Sequence, residues 1–219
     1  MEAIERYHVA NDWITLLFVA VFLLVAVCKL AYPYRFENFT KLIYTTRYFS
    51  INQNKTSLTD SFSFLLYGTQ ILSVSLFIFL LISVFSIVET TDEKILFVQI
   101  ALAYLLFFSV KYFLEKITAT LFKMEKIIDL YLLHKITYRN FIAVALLPIT
   151  LFFMYATFSA KTLMLVIAGI VVLANLYILI IFYKKNRKLV SQYWFYFILY
   201  LCTFEIAPYF ILYKAFTNA

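Results

Sequence analysis

The sequence predicts an all-α protein, an integral membrane helical bundle of about six transmembrane helices with amphipathic cytoplasmic helices in the first and third loops. Three observations lead there. Apolar residues make up 64% of the 219-residue chain and charged residues 14%, where a soluble domain carries about 45–50% and about 25%. A chain of this size has too little interior to hide that much apolar surface from water. The apolar residues gather in continuous charge-free runs rather than in the alternating segments of a membrane barrel. Lys and Arg concentrate in alternate connections, as the positive-inside rule requires.

The whole chain, 1–219, reads as one transmembrane domain. A hydrocarbon core about 30 Å thick needs about 20 apolar residues of helix. The charge-free runs place spans at approximately 13–31, 62–88, 95–111, 140–159, 162–183 and 192–214. Ahead of the first span, Glu2, Glu5 and Asp12 outweigh Arg6, which is not the basic start of a signal peptide. No small-residue cleavage site follows Cys28 either, so the first span is expected to remain in the mature chain. Trp13 and Trp194 sit at span ends, where belt aromatics prefer the headgroup region.

Fifteen of the 19 Lys and Arg residues fall in 32–60, in 112–138, in the loop after the fifth span, or at the span ends beside them. The other four are Arg6, Lys94, Lys161 and Lys214. That bias puts the segments 32–60 and 112–138 in the cytoplasm and both termini outside. The formal net charge of +7 is then a topology signal plus attraction to anionic lipid. Nucleic acid is not expected as a partner, since no folded basic domain is present to bind it. The expected partners are the lipid bilayer and a membrane protein, either a different one or a second copy.

In the first cytoplasmic segment, Phe36, Phe39, Leu42 and Ile43 recur at helical spacing behind Pro33. They predict a short helix with its apolar face in the inner leaflet. Arg35 and Arg47 supply basic contacts there. In the second, Leu114, Ile117, Leu121, Met124 and Ile128 follow a heptad-like spacing, a narrow seam suited to a partner helix. No Pro or Gly interrupts 95–140, so the third span is free to run on as one helix. The stretch 111–138 would then reach about 42 Å. It either lies on the membrane as an amphipathic helix or projects to meet a partner. Lys111 is expected to snorkel from the span end, and His134 to sit on the surface.

Glu205 is the one acid well inside a span, about 18 Å from its start. Such a group defaults to a functional-site hypothesis. Pro208, three residues on, cannot donate to the Phe204 carbonyl, which leaves a free acceptor beside the acid. Asn175 in the fifth span and Gln99 in the third are candidate partners. Glu205 reads as a hydrogen-bonded cross-link between helices, as a proton or ion relay, or as a ligand contact.

No catalytic constellation is expected. There is no phosphate-binding Gly-Lys-Ser/Thr loop, no His-Glu-x-x-His and no Gly-x-Ser-x-Gly. The two histidines, His8 and His134, fall on opposite sides, so no His-based metal site is expected, and no cofactor. With only Gly68 and Gly169 and no small-xxx-small glycine pair, close helix crossings are not signalled; large Phe and Leu side chains suggest wide spacing.

Three stretches, 31–51 (AYPYRFENFTKLIYTTRYFSI), 138–148 (YRNFIAVALLP) and 198–216 (ILYLCTFEIAPYFILYKAF), carry a family resemblance. The chain resembles small polytopic inner-membrane proteins of the Bacteroidota, a family known as a domain of unknown function. The most specific piece is 201–208, with Glu205 and Pro208 at its centre. The resemblance implies a bacterial inner-membrane location, which makes the outside the periplasm. It implies no activity. The expected function is that of a non-enzymatic membrane protein, an accessory or scaffolding subunit of a cell-envelope complex. A small transporter or channel working through Glu205 is the alternative. A lipid-modifying enzyme ranks last.

Overall fold

Asp12 at the dipole-positive end and Lys29 at the dipole-negative end bracket α1 (Asp12–Ala31). The computed structural model describes residues 12–43, 61–85, 92–155, 161–185 and 214. Within them α1 is followed by α2 (Pro33–Thr40), a 3-10 turn (Lys41–Ile43), α3 (Ser61–Phe85), α4 (Glu93–Leu121), α5 (Glu125–Tyr155) and α6 (Lys161–Lys185). The described residues thus form an all-α bundle. Four stretches, Asp12–Ala31, Ser61–Phe85, Glu93–Leu121 and Ile127–Tyr155, are long and apolar enough to cross a membrane, consistent with a membrane protein. The fifth expected span coincides with α6, whose apolar stretch Lys161–Asn175 is shorter. The sixth, 192–214, lies outside the described residues apart from Lys214.

The helix α3 is the axis. Half of its most apolar window (50%) is buried, against 22% for α1 and 11% for α4, so these two pack on α3 with one face and leave the other bare. At one end of the bundle Trp13 meets Phe79 and Phe97 edge-on at 5.6 and 5.8 Å, beside Ile14, Phe18 and Leu76. At the other end Cys28, Phe39, Leu42, Phe62, Leu66 and Leu133 form a second cluster. Inside α5, Pro148 withholds the donor that the Val144 carbonyl would otherwise receive.

The helices α3 and α5 approach closely, contrary to the wide spacing expected. Thr69, Ser73 and Ala143 are each fully buried, and Ser73 Oγ donates to the Ala143 carbonyl at 2.6 Å. Thr69 and Ser73 are a small-xxx-small pair built from hydroxyl residues instead of glycine, and they let one backbone reach the other.

The third expected span does not run on as one helix to Asn140. It ends at Leu121, and the chain reverses into α5. The Met124 amide donates to the Ala119 carbonyl at 2.9 Å and the Lys123 amide to Thr120 at 3.2 Å, a Schellman termination. Its left-handed position is held by Lys123, at φ 53°. Met124 and Ala119 are buried together with Ile127, Ile128, Tyr131 and Leu132, the apolar contact that accompanies this motif. Beyond Lys111 the segment therefore projects by about 15 Å, not about 42 Å. A left-handed conformation costs a non-glycine residue about 1–2 kcal/mol, partly offset by the greater unfolded-state freedom of glycine. Lys123→Gly is expected to stabilise the protein by up to about 1 kcal/mol, read as a raised thermal midpoint in detergent.

The first connection does carry a short helix, α2, with Pro33 in its first turn. Its apolar face is not given to lipid. Phe39 is buried with its ring 6.3 Å from Phe62 and 5.8 Å from Phe141, and Leu42 is buried beside it. On the exposed side Lys41 Nζ donates to Glu37 Oε1 at 2.5 Å and holds that carboxyl below its usual range. The pair therefore persists above that range and is lost as pH falls through the lowered value.

Candidate functional site

Two i, i+4 pairs of charged residues meet across the α4–α5 hairpin. Lys111 and Glu115 lie on α4, Lys135 and Arg139 on α5. Because the helices are antiparallel, the reversal at 122–124 turns both pairs toward each other and toward α3. Glu115 is 1% exposed and Lys111 5%. Lys135 Nζ donates to Glu115 Oε1 at 2.7 Å, and its ammonium lies 5.3 Å from the centre of the Tyr131 ring. Nearer the solvent edge of the hairpin, Lys116 pairs with Asp129 at 2.5 Å, with both side chains more exposed.

About two turns earlier on α4 than Lys111, Tyr104 ties three helices together. Its hydroxyl accepts from Gln70 Nε2 on α3 at 2.7 Å and from Arg139 Nη2 on α5 at 2.9 Å. The Arg139 guanidinium stacks 3.8 Å from the Phe108 ring centre, which fixes its plane. Tyr67 on α3 faces Ser109 on α4, with the two hydroxyls 3.5 Å apart. These groups surround a small cleft bounded by Tyr67, Gln70, Lys111, Glu115, Lys135 and Arg139. Its free volume is about 20 Å³, room for one or two water-sized groups.

A search of family profiles matches residues 14–216 to the family described as Domain of unknown function (DUF4271). The chain belongs to this family. The DUF4271 match takes in every residue of the cleft as well as 201–208. No curated protein and no solved structure matches the chain.

The cleft is not where the sequence placed its emphasis. Glu205, Pro208 and Arg47 lie outside the described residues. Asn175 is exposed on α6, and its Nδ2 donates to the Val171 carbonyl one turn back at 2.8 Å. Gln99 is exposed on α4. Arg35 on α2 lies 6.0 Å from the centre of the Tyr32 ring. The heptad-like seam does not form one face. Leu114, Ile117 and Leu121 are exposed on α4, whereas Met124 and Ile128 are buried inside the hairpin, because the turn at 122–124 divides them. Two further expectations are corrected. Lys111 is enclosed by protein rather than snorkelling, and His134 is buried at 3% exposure rather than on the surface, its Nδ1 2.8 Å from the Leu130 carbonyl.

Sequence reasoning missed Gln70, Tyr104, Glu115 and Lys135. The available signal was the pair of i, i+4 couples on either side of a reversal. Without a Gly or Pro to mark that reversal, the couples read as the solvated side of one long helix.

Proposed function

We propose that this protein is a multi-pass inner-membrane protein of bacteria that works as a non-enzymatic accessory or scaffolding subunit of a cell-envelope complex, docking its partner on the outer face of the α4–α5 hairpin. One observation carries the reading: the end of α4 is inside-out. Lys111 and Glu115 point inward while Phe113, Leu114, Ile117 and Leu121 are exposed, up to 72% at Leu121. A hairpin standing in water has the opposite pattern. The outer face therefore meets an apolar surface.

Lipid accounts for only part of it. The exposed apolar stripe of α4 runs from Ile95 through Leu106 and Phe113 to Leu121, about 39 Å of helix. At an ordinary tilt of about 20° it still rises about 37 Å against a hydrocarbon core of about 30 Å. About the last turn and a half, with Ile117 and Leu121, emerges beyond that core, where a protein surface suits it better than headgroups and water. The Lys and Arg distribution supports a cytoplasmic position for this end, with the turn at Lys123, and periplasmic termini.

Purification from native membranes in mild detergent is expected to recover a stoichiometric membrane-protein partner or a second copy. Ile117→Asp combined with Leu121→Asp is expected to release it without lowering the amount of folded protein, since both residues are exposed. Unchanged recovery with the double variant would overturn the reading. Met124→Asp is not an equivalent test, because Met124 is part of the hairpin core.

A further inference from the structure

We infer that a second, smaller pocket, between α2, α3 and α5, binds one internal water molecule, held by Asn140, Thr137 and Ser63. The pocket lies beside the cleft already described, and Ile136 lines both. Phe39 of α2 and Leu66 of α3 supply apolar wall. The free volume is about 10 Å³, the space that a single water takes up. Asn140 is the residue that points to a ligand. It is 2% exposed, and among the described residues its Oδ1 accepts no hydrogen bond from the protein. A carbonyl oxygen taken out of water without a donor in exchange is destabilising, and a donor seated in the pocket offsets that cost.

The polar groups around the pocket decide what fits. Thr137 Oγ1 donates to the Leu133 carbonyl at 2.6 Å, so its proton is engaged and it faces a ligand as an acceptor. Asn140 Oδ1 is a second acceptor. The Ser63 hydroxyl, on α3, can turn to donate. Water matches that set. Its two protons go to Asn140 and Thr137 and its oxygen accepts from Ser63, three bonds in all, the usual number for an internal water. An anion would meet two acceptors and one donor. A divalent cation takes about six oxygens or more and favours carboxylates, whereas this pocket offers neutral groups. Asn140 stands about one turn of α5 from Ala143. The water therefore extends, toward α2, the seam that Ser73 and Ala143 close directly.

A crystal structure of the full chain grown in a lipid phase, at a resolution that shows ordered water, is expected to place one density peak about 2.7–3.1 Å from both Asn140 Oδ1 and Thr137 Oγ1. Thermal unfolding in detergent reads the same site independently. Asn140→Leu expels the water and is expected to lower the midpoint by about 3–6 °C. Ser63→Ala is expected to lower it by about 2–4 °C, and to have no further effect once Asn140 is leucine, since both variants lose the same water. A dry pocket gives the opposite sign: Asn140→Leu then removes a buried polar group that nothing satisfies, and the midpoint rises. That rise overturns the inference, as do additive shifts. Ser63→Ala, at a partly buried position, decides the matter if the leucine variant fails to fold, and an unchanged midpoint there overturns the inference. So does a crystal structure in which the Asn140 amide bonds directly to protein, for instance to the carbonyl one turn back as Asn175 does. Stabilisation by sodium or potassium chloride that choline chloride does not reproduce, and that Asn140→Leu abolishes, identifies a metal ion in place of water and overturns it as well.

Discussion

Glu115→Ala is expected to destabilise the protein by about 3–5 kcal/mol. Glu115 is 1% exposed and its partner Lys135 is 12% exposed on the side chain, so the pair is removed from solvent. Desolvating two charges already costs most of what their attraction returns. Removing one leaves the other enclosed without its main compensation. Glu115→Leu combined with Lys135→Met is therefore expected to recover most of the loss, ending within about 1–2 kcal/mol of the wild type. The measurement is the thermal or denaturant midpoint in detergent for both single variants and the double. Equal losses in the single and double variants would mean that packing volume, not charge, holds the hairpin to the bundle. The Lys116–Asp129 pair is the internal comparison. It has side chains 34% and 22% exposed, and Asp129→Asn is expected to cost no more than about 1 kcal/mol.

At Ser73 the expected loss comes from space as well as from a hydrogen bond. Ser73→Ala removes the bond to the Ala143 carbonyl and is expected to cost about 0.6 kcal/mol, with about 1.7 as the upper end. Ser73→Leu must also place extra carbons where Ser73 and Ala143 are fully buried. Overpacking adds about 1–3 kcal/mol, so the total reaches about 2–4 kcal/mol. The same stability assay reads both variants, and a leucine variant as stable as the alanine one would show that α3 and α5 can separate without penalty. The crossing matters to the candidate site. α3 brings Gln70 and Tyr67 to the cleft, one turn or so from Thr69 and Ser73, so a wider crossing withdraws Gln70 from Tyr104.

The bundle was legible in the sequence because it rests on long-range averages. Charge-free runs of sufficient length mark α1, α3 and the apolar parts of α4 and α5 whatever their packing. Pro33 marked the start of α2, since its ring fits a first turn and ends what precedes it. The hairpin was not legible. A Schellman turn normally shows itself through glycine, and here Lys123 occupies the left-handed position, supported by the buried contact between Met124 and Ala119. Once that turn is hidden, the spacing of Leu114, Ile117, Leu121, Met124 and Ile128 looks like one continuous face. The cleft was lost with it, because its charges converge only after the reversal. The close α3–α5 crossing was missed for a related reason. Attention to glycine overlooked that hydroxyl residues at Thr69 and Ser73 serve the same purpose while also supplying a donor.

The inward-facing charges of α4 bear on how the protein enters the membrane. Released by itself from the translocon, α4 would present Lys111 and Glu115 to lipid at one end of its span, where no neighbour satisfies them. A charged side chain costs about 2.5–3.5 kcal/mol at the middle of an inserting helix and less toward its ends. The partner of Glu115, Lys135, follows 20 residues later in the chain, on the far side of the reversal at Lys123. Entry of α4 and α5 as a pair is accordingly favoured over entry of α4 alone, because only the pair gives Glu115 its partner.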